Sequence, residues 1–160
     1  MRSVALVLCT LSTLLVLSFS AAAAPAAQAA GPRIDRGERA VIRAINGARA
    51  AHGLRRMRAN RRLARAADVH TRSMLRADYF SHGAFSQRVR RYVRFRRIGE
   101  TIAMTPRCSA RTAVRLWLNS PGHRAVLLSR GFRRVGVGRR KGRLGFNRAC
   151  VYTADFASRR

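Results

Sequence analysis

Four histidines, two glutamates, four aspartates and three cysteines make up the side chains of this chain that can trade protons near neutral pH or hold a metal ion. His82, in Tyr79-Phe80-Ser81-His82-Gly83, and His123, in Ser120-Pro121-Gly122-His123, each sit beside glycine at a loop or a helix start, a setting that exposes side chains. Glu100 follows Gly99 in the same kind of break. Two imidazoles and one carboxylate are the minimum set for a Zn²⁺ site with an open position, or for general acid/base work near neutral pH. The other histidines read as structural. His52 precedes Gly53 at a helix end, where the helix dipole favours it, and His70 falls on an apolar helical stripe, where a hydrogen-bonded buried ring is the commoner outcome. No G-x-S-x-G elbow, H-E-x-x-H helix, phosphate-binding loop or C-x-x-C pair occurs, so serine hydrolase, zincin, nucleotidase and zinc-ribbon readings lack their motifs.

The elements that must position these residues can be read from spacing. Asp35-Arg36-Gly37-Glu38 has the form of a capping box and opens a helix over about 36–52, with Val41, Ile45 and Ala48 on one face and Gly53 as its stop. Asn60 caps a second helix whose apolar face carries Leu63, Ala67, His70 and Met74, leaving Arg61, Arg62, Arg65, Arg72 and Arg76 to solvent. A short helix and a loop fill 79–97, and Ile98 to Ala103 is a strand or an extended link. Ser109 caps a third helix through Trp117, and Ser120-Pro121 restarts one with proline at its first position, bringing His123 into the opening turn. Beyond Gly131 the period becomes alternating, which predicts two antiparallel strands turning at Lys141-Gly142. Helices first and a hairpin last argue for an α+β layer fold.

Residues 1–29 read as a secretory signal peptide: Arg2, an apolar run from Val4 to Phe19, and an Ala-rich tail with small-x-small cleavage near residue 29. The apolar run is about sixteen residues, short of the roughly 20 that a spanning helix needs. Cys9 follows Leu8 rather than a small residue, which weakens a lipoprotein reading. Export leaves two cysteines, Cys108 and Cys150, and an even pair in an exported chain favours a disulfide over a catalytic thiol. A short segment over 30–37 then leads into one domain over 38–157.

The chain has 160 residues, with 34 Lys+Arg against 6 Asp+Glu and a formal charge of +28. Lys141 is the only lysine, so pH cannot switch this charge off. Arg88, Arg90, Arg91, Arg94, Arg96 and Arg97 interleave with Val89, Tyr92, Val93 and Phe95, a pattern suited to anionic lipid head groups or wall phosphates. The alternative is that arginine simply occupies tolerated surface positions throughout, as its excess over lysine suggests. Export makes nucleic acid an unexpected physiological partner.

Tyr79-Phe80-Ser81-His82, Ile98-Gly99-Glu100-Thr101-Ile102-Ala103, Trp117-Leu118-Asn119-Ser120-Pro121-Gly122-His123-Arg124 and Val135-Gly136-Val137-Gly138 resemble, in order and spacing, the motifs of the CAP superfamily, or SCP domains. Ile45-Asn46, Ala48-Arg49 and Gly53-Leu54 match the start of such domains, so the resemblance covers about residues 38 to 157, closest to the bacterial secreted branch. It implies a three-layer α-β-α sandwich with a small antiparallel sheet, and a cleft lined by two histidines and two glutamates that can hold a divalent ion such as Zn²⁺.

Residue by residue, His82 and His123 match the two histidines and Glu100 the first glutamate. The second glutamate is replaced by Ser120, Thr101 stands where asparagine is usual, and Glu38 is committed to its capping box. The resemblance therefore ranks an extracellular binding module for a lipid, sterol-like or cell-envelope ligand above a metal-assisted, peptidase-like hydrolase acting through His82, Glu100 and His123. No cofactor is required by the first reading. Zn²⁺ or another divalent ion is required by the second.

Overall fold

The computed structural model describes residues 33–158, so the leader expected over 1–29 lies outside the described residues. Helix α1 (Arg36–Ala51) starts at the expected capping box: Asp35 accepts from the Glu38 N–H at 2.6 Å, and Glu38 accepts from the Asp35 N–H at 2.8 Å. Helix α2 (Arg61–Arg76) is capped by Asn60, and its five arginines at 61, 62, 65, 72 and 76 are exposed as expected. A short α3 (Phe85–Arg90) leads to strand β2 (Ile98–Thr105), and α4 (Ala110–Asn119) and α5 (Pro121–Leu127) follow from the caps at Ser109 and Ser120. The long hairpin is β3 (Arg134–Leu144) and β4 (Asn147–Ala157).

One element was not expected: β1 (Arg58–Ala59), two residues that pair parallel to Arg134 and Val135. Their side chains carry no apolar alternation, and Asn46 sets the preceding residue in place instead. Its amide donates to the Met57 carbonyl at 3.0 Å and its oxygen accepts from the Met57 N–H at 2.8 Å. The sheet order is β1-β3-β4-β2, antiparallel except for the β1 edge.

The turn of the hairpin is also displaced from the expected Lys141-Gly142 to Gly145-Phe146. Gly142 lies inside the strand opposite Ala149, where a Cβ would stand 2.8 Å from the Leu75 side chain. Its glycine marks a close approach rather than a turn. Gly145 has φ +58° and Phe146 does not share the positive sign, the pattern of a two-residue type II′ turn.

Alternation along the strands separates the layers. Val135, Val137, Tyr152, Ala154 and Phe156 face one side, packing with Ile45 of α1, Trp117 of α4 and Leu127 of α5. Val151 and Ile102 face the other, against Met74 of α2. Helix α2 presses onto β3 through the Val135-Gly136-Val137-Gly138 motif. A Cβ on Gly136 would lie 2.0 Å from the Ala64 nitrogen, and one on Gly138 2.5 Å from the Ala67 carbonyl carbon, so only glycine permits this approach. The result is the α-β-α sandwich that the motifs implied.

Two long-range ties fasten the layers. Cys108 and Cys150 form a disulfide with 5.2 Å between Cα atoms, joining the start of α4 to β4. Closing 42 residues contributes about 4 kcal/mol on chain-entropy reasoning. Arg49 is fully buried, and its guanidinium donates to the carbonyls of Arg55, Leu127 and Ser129, clasping α1 to the end of α5. These ties and the three apolar clusters found among the described residues are all retained in a chain beginning at Ala30.

Candidate functional site

Strand β2 carries Glu100 on the α2 side of the sheet, directly across from Asp155 of β4. The Trp117 indole N–H donates to the Ile102 carbonyl at 2.8 Å, locking α4 to β2 and thereby placing α5 with His123 beside the strand. His82 arrives on the loop after α2, and His70 holds that loop: its Nε2 bonds the Ser81 carbonyl at 3.0 Å. His70 is 3% exposed, and burial first of all holds its pKa below the usual imidazole range. It is a positioning residue, as its place on the apolar stripe suggested. His52 bonds the Ala48 carbonyl at the end of α1, also a structural role.

The three expected residues come together. His82 Nδ1 lies 2.7 Å from Glu100 Oε1, and His82 Nε2 lies 3.2 Å from His123 Nε2. With Nδ1–H donated to the carboxylate, a neutral His82 offers Nε2 as an acceptor, and the His123 Nε2–H supplies the proton between the rings. Burial, and then the neighbouring His82, push the His123 pKa down and keep that ring neutral. His82 remains half-open to solvent, while the Glu100 side chain is 1% exposed.

Two partners of Glu100 were not expected. Arg88 turns inward and pairs through one NH2 with Glu100 and, at 3.4 Å, with Asp155 Oδ1. It therefore leaves the exposed arginine strip to which its position in the sequence assigned it. Asp155 is fully buried, and desolvation, then the charge of Glu100, raise its pKa well above the usual carboxylate range. Two carboxyl groups share one guanidinium, and burial beside the Glu100 charge favours the protonated form of Asp155. A carboxylate inside an otherwise apolar alternating strand, Val151 to Ala157, was the available signal for Asp155. Arg88 gave none, because arginine is everywhere around it.

This donor set does not fit a resident divalent ion. Glu100 orients His82 from the far side of the ring instead of converging with the two Nε2 atoms, and its other oxygen is held by Arg88. Among the described residues no group of three His, Cys, Asp or Glu is disposed to hold a metal. No Ser, Thr or Cys side chain among them bonds to the His82 or His123 ring.

A second concave region lies beside α3 and the loop that follows it. A cleft of about 960 Å³ is walled by Arg62, Arg90, Arg91, Arg94 and Arg96, with Tyr92, Val93 and Phe95 between them. A neighbouring hollow of about 780 Å³ shares Arg62, Val93, Arg94 and Phe95 and extends to Arg58 and Arg134. No carboxylate among the described residues pairs with any of these arginines. Arg97, the last of the expected strip, instead lays its guanidinium 6.0 Å from the Phe132 ring centre.

The model of the family described as CAP, the cysteine-rich secretory protein family, matches residues 42–156. The chain belongs to the CAP family. It is 29% identical, with a TM-score of 0.66, to an extracellular SCP-domain protein from Bacillus anthracis, a match over 77% of this chain and 40% of that one. An outer surface protein from Borrelia burgdorferi, 19% identical with a TM-score of 0.66, matches over 81% of this chain and 97% of its own, and shows the CAP fold alone. An uncharacterized Bacillus subtilis membrane protein, YlbC, is 34% identical over 107 residues. That match covers 63% of this chain and 31% of YlbC, so this CAP chain spans about a third of the curated relative. No helix among the described residues is long and apolar enough to cross a membrane.

Proposed function

We propose that this CAP chain is a secreted binding module whose arginine cleft takes an anionic amphiphile of the cell envelope, a lipid with a phosphate head group being the simplest case. The observation that carries this reading is the cleft itself. Its volume of about 960 Å³ lies in the range of small-molecule sites. Guanidinium groups recognise phosphate bidentately, and Tyr92, Val93 and Phe95 offer apolar surface to a chain or ring. Export rests on the leader-like residues 1–29, and relatives described as extracellular and outer surface proteins support it. The hydrolase alternative would have to work through His82, Glu100 and His123, whose carboxylate is already committed to His82 and Arg88.

The test is calorimetric titration of a short-chain phosphatidylglycerol, kept monomeric, into the chain beginning at Ala30. Saturable binding is expected that weakens steeply as salt rises through physiological strength and falls roughly tenfold or more in Arg91→Ala/Arg94→Ala, each lost charged hydrogen bond being worth about 1.5–3 kcal/mol. His82→Ala/His123→Ala should bind as the parent does. Absence of binding, or equal binding of short-chain phosphatidylcholine at every salt concentration, would contradict the reading.

A further inference from the structure

At the far end of the sheet from the arginine cleft, the β3–β4 hairpin ends in a phenylalanine that stands in solvent. Phe146 is 96% exposed. A type II′ turn needs glycine at its first central position and accepts small polar residues at its second, so the turn itself gives no reason for an aromatic ring there. The tip is nonetheless held firmly. The Gly145 N–H donates to Asp78 Oδ1 at 2.5 Å, and Asp78 adopts φ +49° to reach it. Leu144 packs inward with the Met74 cluster, and the disulfide anchors β4 at Cys150.

Behind the tip, between it and the disulfide, stands a set of cations without ion-pair partners among the described residues. Arg143 and Arg148 face each other in register, one residue from the Leu144-Asn147 pair at the tip, and Lys141 lies opposite Cys150. Arg107, Lys141, Arg143 and Arg148 are all exposed and line a hollow of about 650 Å³ beside the disulfide. None of the four has a carboxylate in reach among the described residues. The single acid at this end, Asp78, is occupied by the turn.

We infer that this hairpin end is a docking surface for an anionic bilayer, with Phe146 entering the boundary between head groups and acyl chains while Arg107, Lys141, Arg143 and Arg148 meet lipid phosphates. An aromatic ring with a cationic collar has the chemistry of an interfacial anchor. A soluble anionic polymer would satisfy the collar but leave the ring in water, which is why a bilayer is the occupant that uses both. Strands of this length place the tip roughly 30 Å from the arginine cleft, so one face can rest on a membrane while the other remains open. The inference rests on residues that the cleft reading does not use.

The test uses the chain beginning at Ala30 and sedimentation with vesicles of phosphatidylcholine alone or of equal parts phosphatidylcholine and phosphatidylglycerol. Partition into the anionic vesicles is expected to drop roughly tenfold in Phe146→Ala, the scale of one buried aromatic side chain, with short-chain lipid binding in the arginine cleft unchanged. Phe146→Trp should partition like the parent, shift its emission to the blue and be quenched by brominated acyl chains. Equal partition of the parent and Phe146→Ala overturns the inference. So does a Phe146→Trp chain that sediments with vesicles but is not quenched, or a parent that ignores anionic vesicles while still binding short-chain lipid. Loss of cleft binding with an intact Phe146 effect overturns the cleft reading alone.

Discussion

Arg88 and Arg91 lie one helical turn apart and meet opposite fates. Arg88 is 13% exposed and pairs with two buried carboxyl groups, whereas Arg91 stands in solvent on the wall of the cleft with no carboxylate partner among the described residues. In this CAP domain, a charge matched inside the protein is architecture, and one left unmatched is available to something outside. The same division separates the Glu100 cluster, where opposite charges are paired, from the cleft and the hairpin end, where like charges accumulate.

The largest effect that follows is on stability. Arg88→Met leaves Glu100 and Asp155 buried beside each other without a counterion and is expected to cost about 3–5 kcal/mol. The identical change at Arg91 should fall within about 0.5 kcal/mol of the parent. Urea denaturation of the two variants reads the difference directly. Equal midpoints would erase the distinction between the two regions.

A smaller effect sharpens the same contrast through pH. The raised pKa of Asp155, caused first by desolvation, means the folded state holds a proton that the unfolded state releases. The stability from this group is full below the ordinary aspartate pKa and is lost as pH rises through the folded value. Asp155→Asn imitates the protonated acid, keeping a polar group of the same shape with nothing to ionise. It should gain on the parent as pH rises from acid toward neutrality, by on the order of 1 kcal/mol, one buried hydrogen bond's worth. His70 and His123, held neutral chiefly by burial, act oppositely in both proteins: the unfolded chain takes up their protons first, so stability falls as pH drops below the ordinary imidazole pKa. Parallel parent and variant curves between acid and neutral pH would remove Asp155 from the cluster.

Much of this arrangement was legible before the fold was known, and the reason differs element by element. Caps at Asp35, Asn60 and Ser109 are local chemistry, encoded within four residues, and each accepts the backbone bond its type predicts. The convergence of His82, Glu100 and His123 came from ordered motifs rather than from spacing, since 18 and 41 residues separate the bonded pairs. The hairpin turn was misplaced because Gly142 and Gly145 look alike in sequence, and only the helix packed over Gly142 distinguishes close approach from a turn. Arg88 was unreadable for a related reason. In a chain with 34 cationic residues and 6 acidic ones, nothing local marks the arginine that turns inward.

The last comparison concerns what the histidine pair can hold. Two imidazole nitrogens 3.2 Å apart resemble neighbouring ligands of a metal, but the same separation is that of a hydrogen bond in which one nitrogen donates its proton to the other. An ion would have to displace that proton and find its remaining ligands in water, because Glu100 already orients His82 and neutralises Arg88. Zn²⁺ titrated into the chain beginning at Ala30 is therefore expected to bind more weakly than micromolar, with little change in His82→Ala/His123→Ala. Stoichiometric micromolar binding that disappears in the double variant would show that Glu100 or Asp155 can leave Arg88 for a metal. The Glu100 cluster would then belong with the open regions of the molecule, as a site whose charges are held ready for a ligand.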